Sequence, residues 1–425
     1  MNKSKLFILF GLILLFFIQI SFGQSAKAKQ IDDFVSQFAK NNQFSGVILA
    51  SENGEIIYEK AFGVANADYK IPNQLNTRIG IASITKYMTI IILNRLLESK
   101  QILLADKLTK YIPDFPDGDK ITIEMLARHR SGIQHRVMPA EAESVPYTSA
   151  EFIEKVKQSK LAFEPGTKSL YSSAGFAVLA RCLEIASGKT YTELIQQYVF
   201  KPAEMTDSLE FNSEEIMDRR AQDYFLTPNG YVNASLKDYS FLVGAGSVFS
   251  TARDVYKFGN AILDGKYGEN TKTSLVGQQN LNGSGSTNGH RAYFEIEKNK
   301  KYGFVLLSNL ASGAFDLISK GISDILQDKE LSVKDVPNPK FITVSNDELK
   351  GFLGHYRRSD GVGEYDMRLV NGSLLAGDIK LYPIRKDCFF EYKFFGEACF
   401  VRENTGSIKE IKWKGFGFDL TWIKQ

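Results

Sequence analysis

Several things are scarce in this 425-residue chain, and each scarcity excludes something. There are three cysteines, too few for a disulfide-built scaffold, and no C-x-x-C pair or Cys/His cluster that would ligate zinc. There is almost no excess of charge of one sign: 52 Lys plus Arg stand against 49 Asp plus Glu, a formal +3. A phosphate backbone therefore finds no basic surplus to neutralise it, which argues against nucleic acid as a partner. Long apolar runs are confined to the first residues, so a polytopic membrane protein is excluded. With 44% hydrophobic and 24% charged residues the composition is that of a globular protein. The length suggests two or three domains, at roughly 150 residues each.

The single apolar run, Leu6 to Phe17, follows Lys3 and Lys5 and gives way to Ser21-Phe22-Gly23. A basic start, a short apolar middle and small residues three and one before a cut make a signal peptide over residues 1–23, cleaved after Gly23. The run is short for a spanning helix of about 20 residues; the alternative is an uncleaved N-terminal anchor. No cysteine follows it, which speaks against a lipid anchor. The expected location is periplasmic or secreted. In such an oxidising compartment Cys388 and Cys399, flanking an expected hairpin, could pair, whereas Cys182 sits in an apolar helical pattern and reads as buried.

Periodicity predicts a helix over 26–39, a hairpin from Ser45 to Gly63 turning at Glu52-Asn53-Gly54-Glu55, and mainly helices from 82 to 210. Phe176 to Ser187 is the clearest helix, closed by Gly188-Lys189. A helix from Ala252 to Leu263, strands at Ala292–Ile296 and Phe304–Ser308, and a helix at 315–327 complete the unit. Strands from both ends thus bracket a helical middle, which predicts an α+β, three-layer fold with an antiparallel sheet closed by the termini. Residues 328–344 hold two prolines and no period and read as a linker. Beyond them short alternating strands with Asn371-Gly372, Gly396 and Gly406 at turns predict an all-β module. The divisions expected are 1–23, 24–327, 328–344 and 345–425.

Chemistry begins at Ser83. Ile81-Ala82-Ser83-Ile84-Thr85-Lys86 opens an apolar helical run, so Lys86 lies one turn from Ser83 on the same face. An amine at that spacing reaches the hydroxyl, and burial drives it toward the neutral form that accepts a proton. The helix N-terminus also favours the negative charge of acyl transfer. The plainer alternative makes Ser83 an N-cap and Lys86 a solvated first-turn residue.

Further along lie Leu126-Ala127-Arg128-His129-Arg130-Ser131-Gly132, then Glu164-Pro165-Gly166-Thr167 leading to Tyr171-Ser172-Ser173, then Gly244-Ala245-Gly246-Ser247. Together with S-x-x-K, these ordered motifs resemble the β-lactamase-related serine hydrolases over residues 30–325. That family comprises class C β-lactamases, low-molecular-weight penicillin-binding proteins, D-aminopeptidases and esterases. The resemblance implies that Ser83 is the acylated nucleophile and Lys86 its assistant. It places the family's Y-x-N motif on Tyr171-Ser172-Ser173, with Tyr171 moving a proton and Ser173 standing where an asparagine meets substrate. The literal Tyr231-Val232-Asn233 lacks that context. The third motif, K-T-G or H-x-G, falls on Gly283-Ser284-Gly285, where Gly283 replaces the basic residue; a plain β-turn is the alternative there. The implied oxyanion hole is the backbone N–H of Ser83 and Ser286. His129 resembles a structural turn histidine of the family, and His135, His290 and His355 show no partner pattern.

The implied function is an exported serine hydrolase of amide or ester bonds working through a Ser83 acyl-enzyme, with no cofactor and no metal. Its partner is a small-molecule, peptide or peptidoglycan-derived substrate, and it meets membrane only through an uncleaved signal segment. The alternative is a degenerate binder of peptidoglycan fragments or of a protein, without turnover. The last module resembles the small lipocalin-like domain that often follows this hydrolase domain.

Overall fold

The computed structural model describes residues 25–277 and 279–425; the expected signal segment lies outside them. Helix α1 (Ala26–Lys40) starts at Ser25, whose hydroxyl accepts the Ala28 N–H, and buries Ile31, Phe34, Val35 and Phe38 along one stripe. Strands β1 (Gly46–Glu52) and β2 (Glu55–Phe62) form the hairpin. Its two-residue turn works because Asn53 and Gly54 both take positive φ, 51° and 83°.

The remaining core elements are α2 (Thr85–Glu98), α3 (Ser173–Ser187), α4 (Ala252–Leu263), β3 (Asn280–Thr287), β4 (His290–Glu297), β5 (Tyr302–Ser308) and α5 (Ala314–Leu326). The sheet runs in the order β3-β4-β5-β1-β2 and is antiparallel throughout. The join between the two parts of the chain is the β1–β5 ladder, Gly46 opposite Ser308 through Glu52 opposite Tyr302. Helices α1 and α5 cover one face, through Phe34, Phe38, Ile318 and Ile322 against Ile48, Phe304 and Leu306. The other face, Val47, Leu49, Phe294 and Leu307, packs on α4 and on the helical subdomain built around α2 and α3. This is the three-layer arrangement implied by strands at both ends of a helical middle.

Two local readings change. The clearest helix starts at Ser173 rather than Phe176, because the Ser172 hydroxyl caps it by accepting the Gly175 N–H. The Gly283 stretch is no turn but most of β3, its side chains alternating: Leu281, Gly283 and Gly285 are buried, while Asn282, Ser284 and Ser286 are exposed.

Residues 327–345 contain no helix or strand. A closed eight-strand barrel follows: β6 (Gly354–Arg358), β7 (Glu364–Val370), β8 (Ser373–Ala376), β9 (Ile379–Arg385), β10 (Cys388–Glu391), β11 (Gly396–Arg402), β12 (Ile408–Gly415) and β13 (Phe418–Lys424). Phe352, Tyr356, Phe389, Phe400 and Trp413 fill it. Cys388 and Cys399 stand opposite each other on β10 and β11, Cα atoms 4.1 Å apart, and form a disulfide. The barrel docks on the preceding three-layer unit through Phe390 and Phe395, which join the core under α1 and α5, and through the Gly313 N–H, which donates to the Tyr392 carbonyl.

Candidate active site

Ser83 lies in a 3₁₀ turn, Ala82–Ile84, that feeds directly into α2. Ala82 has φ 45°, a left-handed conformation that costs a residue with a Cβ and that is found where a local geometry is imposed by its surroundings. The turn leaves Ser83 at the mouth of a cleft of about 940 Å³ and points Lys86 inward, where only 6% of it remains exposed.

The Lys86 amine touches three oxygens: Ser83 Oγ at 3.2 Å, Ser173 Oγ at 3.1 Å and the Ala245 carbonyl at 2.7 Å. None carries charge. Burial, with no anion among the described residues facing the amine, pushes Lys86 down to about 7. Opposite it, the Tyr171 hydroxyl donates to Ser83 Oγ at 2.8 Å. Burial moves the phenol above its ordinary pKa and the bond to Ser83 pulls the other way. Lys86 Nζ also lies 4.9 Å from the centre of the Tyr171 ring. The neutral groups form one consistent circuit: Tyr171 donates to Ser83, Ser83 donates to Lys86, and the two amine protons go to Ala245 and Ser173.

The Tyr171 loop is held from behind. The Leu170 N–H donates to the His129 carbonyl at 2.9 Å, and the Gly166 N–H donates to the Arg130 carbonyl at 2.8 Å. His129 itself is half-buried against Tyr171 and Phe176, ring centres 4.6 Å and 4.9 Å away, and accepts the Ser172 N–H at Nδ1. Burial, then the neighbouring Lys86 and His135, push it down to about 4. A neutral histidine, accepting at Nδ1, is what results.

The other wall is β3, an edge strand whose close approach to the Ser83 turn depends on glycine. A Cβ on Gly285 would sit 2.1 Å from the Ile81 carbonyl oxygen and 2.9 Å from the Ser83 nitrogen. The Tyr87 hydroxyl ties α2 to this strand by donating to the Asn282 carbonyl at 2.9 Å. Ser284, Gly285 and Ser286 all line the cleft. Gly283 does not, because Phe294, its partner across the β3–β4 ladder, occupies the space: a Cβ there would meet the ring at 2.6 Å. A basic side chain at this position has no room.

Four participants escape sequence reasoning. The Ala245 carbonyl offers no side-chain signal, although Gly244-Ala245-Gly246 marks a tight backbone. Phe294 looks like any strand aromatic. His135 reaches the site by accepting the Ser173 N–H at 3.2 Å, and Arg291, paired with Asp316 at 2.7 Å, lines the cleft beyond Ser286.

The chain matches the model of the family described as Beta-lactamase over residues 31–327. It is 24% identical over 231 residues to the teichoic acid D-alanine hydrolase of Staphylococcus aureus (strain MRSA252), covering 54% of this chain and 56% of that one. The chain spans about half the length of the curated relatives it matches. Its fold is similar to that of a penicillin-binding protein from Bacillus halodurans, with a TM-score of 0.59, 23% identity, and coverage of 68% of this chain and 98% of that one. It is likewise similar to the D-amino acid amidase of Ochrobactrum anthropi SV3, with a TM-score of 0.61, 19% identity, and coverage of 71% and 97%.

Proposed function

Since the chain belongs to the beta-lactamase family, we propose that it is an exported serine hydrolase cleaving amide or ester bonds through an acyl-enzyme on Ser83. The observation that carries this is the convergence of the Tyr171 hydroxyl and the Lys86 amine on one oxygen, Ser83 Oγ.

In the acylation step Ser83 Oγ bonds to the substrate carbonyl carbon as its proton passes to neutral Lys86. The N–H groups of Ser83 and Ser286 and the start of α2 receive the developing oxyanion; a single such donor typically carries about 10²–10³ in rate. Tyr171, bonded to the same oxygen, passes a proton to the departing amine or alcohol, and the protonated Lys86 replaces it. Water then attacks the ester, giving its proton up through the same pair, and the acid and free Ser83 are released.

Small substrates built on a D-amino acid are the class we favour, on likeness to the teichoic acid D-alanine hydrolase and the D-amino acid amidase. Phe294 in the place of a basic side chain at 283 argues against a carboxypeptidase or a proficient β-lactamase relying on a cation there. Export is supported by the basic-then-apolar segment at residues 3–17 and by the Cys388–Cys399 disulfide, which persists in an oxidising compartment. The boundaries 24–327 for the hydrolase domain, 328–344 for the linker and 345–425 for the lipocalin-like barrel fit this reading.

A second reading, a binder that keeps the cleft without turnover, is favoured by the same Gly283–Phe294 exchange. Intact-mass measurement after a fluorophosphonate and, separately, a penicillin, with Ser83→Ala alongside, decides between them. A stoichiometric adduct that disappears in Ser83→Ala is expected. A folded protein that takes up neither probe would leave the binder.

A further inference from the structure

Two of the four histidines enclose the Tyr171 ring, with centroids 4.6 Å (His129) and 5.4 Å (His135) away. Both use Nδ1 in the same manner. His129 Nδ1 accepts the Ser172 N–H at 3.1 Å, and His135 Nδ1 accepts the Ser173 N–H at 3.2 Å. A backbone N–H only donates, so each Nδ1 must present a lone pair, and each ring is neutral with its proton on Nε2.

The two amides are no ordinary pair. Ser172 is the N-cap of α3 and Ser173 its first residue, whose N–H has no acceptor within the helix. Meanwhile the Ser172 hydroxyl donates to the Gln134 carbonyl at 2.9 Å. The segment 129–135 therefore grips 171–173 by both consecutive amides, one hydroxyl and two tilted ring contacts. What that grip holds is the Tyr171 hydroxyl, 2.8 Å from Ser83, and the Ser173 hydroxyl, 3.1 Å from Lys86.

The surroundings preserve the neutral state. Partial desolvation acts first on both rings, although His135 keeps an exposed side; Lys86 on α2 repels a proton from each, and Arg136 and Lys237 add to this at His135 while Glu143 opposes. Both rings are held below the ordinary histidine range, so the acceptors survive wherever Lys86 is neutral.

We propose that His135, acting with His129, is a positioning residue for the Ser83 chemistry: neutral imidazoles clamp the 171–173 segment so that Tyr171 and Ser173 meet Ser83 and Lys86 at bonding distance. The proposal rests on the reading of Ser83 as the nucleophile. His135 has no role in bonding to substrate; it works through the Ser173 amide.

The test is the rate of fluorophosphonate labelling at Ser83, followed by intact mass at pH 8, in the full chain. His135→Ala removes the acceptor and should slow labelling about 10- to 100-fold, the scale of a small displacement of reacting groups. His135→Asn places Oδ1 close to where Nδ1 stands and should recover most of the rate, with thermal midpoints of the two variants alike. A structural role alone would not produce the third result: in a Tyr171→Phe, Ser173→Ala background, His135→Ala should cost much less than in the parent, because both hydroxyls it positions are gone. A parent-like rate in His135→Ala, no rescue by asparagine, or an undiminished cost in the Tyr171→Phe, Ser173→Ala background would each overturn the proposal. Parent protein that does not label at all would instead overturn the nucleophile reading and take the proposal with it.

Discussion

Lys86 Nζ stands 3.2 Å from Ser83 Oγ, and its two other bonds go to the uncharged oxygens of Ser173 and Ala245. An ammonium donates to all three; the neutral amine keeps two bonds and accepts the serine proton in the third. Because burial places its titration near 7, labelling of Ser83 by a fluorophosphonate should rise with pH through about 7 and level off above it. Labelling rates from pH 5.5 to 9 measure this, and a flat profile would remove Lys86 as the base.

The same burial has a stability consequence. The folded-state pKa lies below the ordinary 10.5, so the unfolded chain binds more protons between the two values and stability from this group rises with pH across that interval. Below about 7 the full penalty of a buried ammonium is present. Lys86→Met should therefore raise the thermal midpoint at pH 6, by the equivalent of about 1–3 kcal/mol, and much less at pH 10. Scanning calorimetry at both values checks the sign.

Tyr171→Phe deletes the hydroxyl that donates to Ser83 without altering the ring that lies tilted between His129 and His135. Turnover of a D-amino-acid amide or ester should fall by about 10²–10⁴-fold with the fold intact. An unchanged kcat would assign proton delivery elsewhere.

Restoring the basic residue should not restore a cation site. Gly283→Lys drives its Cβ into Phe294, which a core in van der Waals contact resists at a cost of about 1–3 kcal/mol. Gly285→Ala meets backbone at 2.1 Å, which cannot rotate aside, and should separate β3 from the Ser83 turn. Circular dichroism melts and Ser83 labelling together distinguish them: Gly283→Lys loses stability first, Gly285→Ala loses labelling.

The disulfide closes a short loop between adjacent strands, with a sequence separation of 11. Cys388→Ser with Cys399→Ser should weaken the barrel by about 2–3 kcal/mol on a chain-entropy account, with little effect on Ser83 labelling. Limited proteolysis of the 345–425 region against labelling rate is the check; parallel loss of both would mean that the barrel holds the cleft in shape.

Much of the fold is written in local patterns. The stripe Ile31, Phe34, Val35 and Phe38 makes α1, and the alternation Leu281, Gly283, Gly285 makes β3, although glycines and serines disguised that strand as a turn. Its strand character comes from a partner: every residue of β3 pairs across the ladder with β4, and strand propensity yields to such pairing. The start of α3 is hidden in the sequence for a related reason, since Ser172 and Ser173 are weak helix formers that become the cap and first residue once the helix behind them packs.

Within the cleft, the division follows distance along the chain. Ser83 and Lys86 are one helical turn apart, so their juxtaposition is a property of the sequence alone once that segment is helical. Tyr171 is 88 residues from Ser83, Ala245 is 159 from Lys86, and Phe294 meets Gly283 only across a ladder. Motif order pointed to Tyr171, but backbone acceptors such as Ala245, and rings that merely occupy space, carry no residue-type signal. Whether Lys86 is a base or a solvated cation depends on how much water remains around it. Local sequence does not contain that quantity; the packing of α2 against α3, the Ala245 loop and the Tyr171 segment decides it.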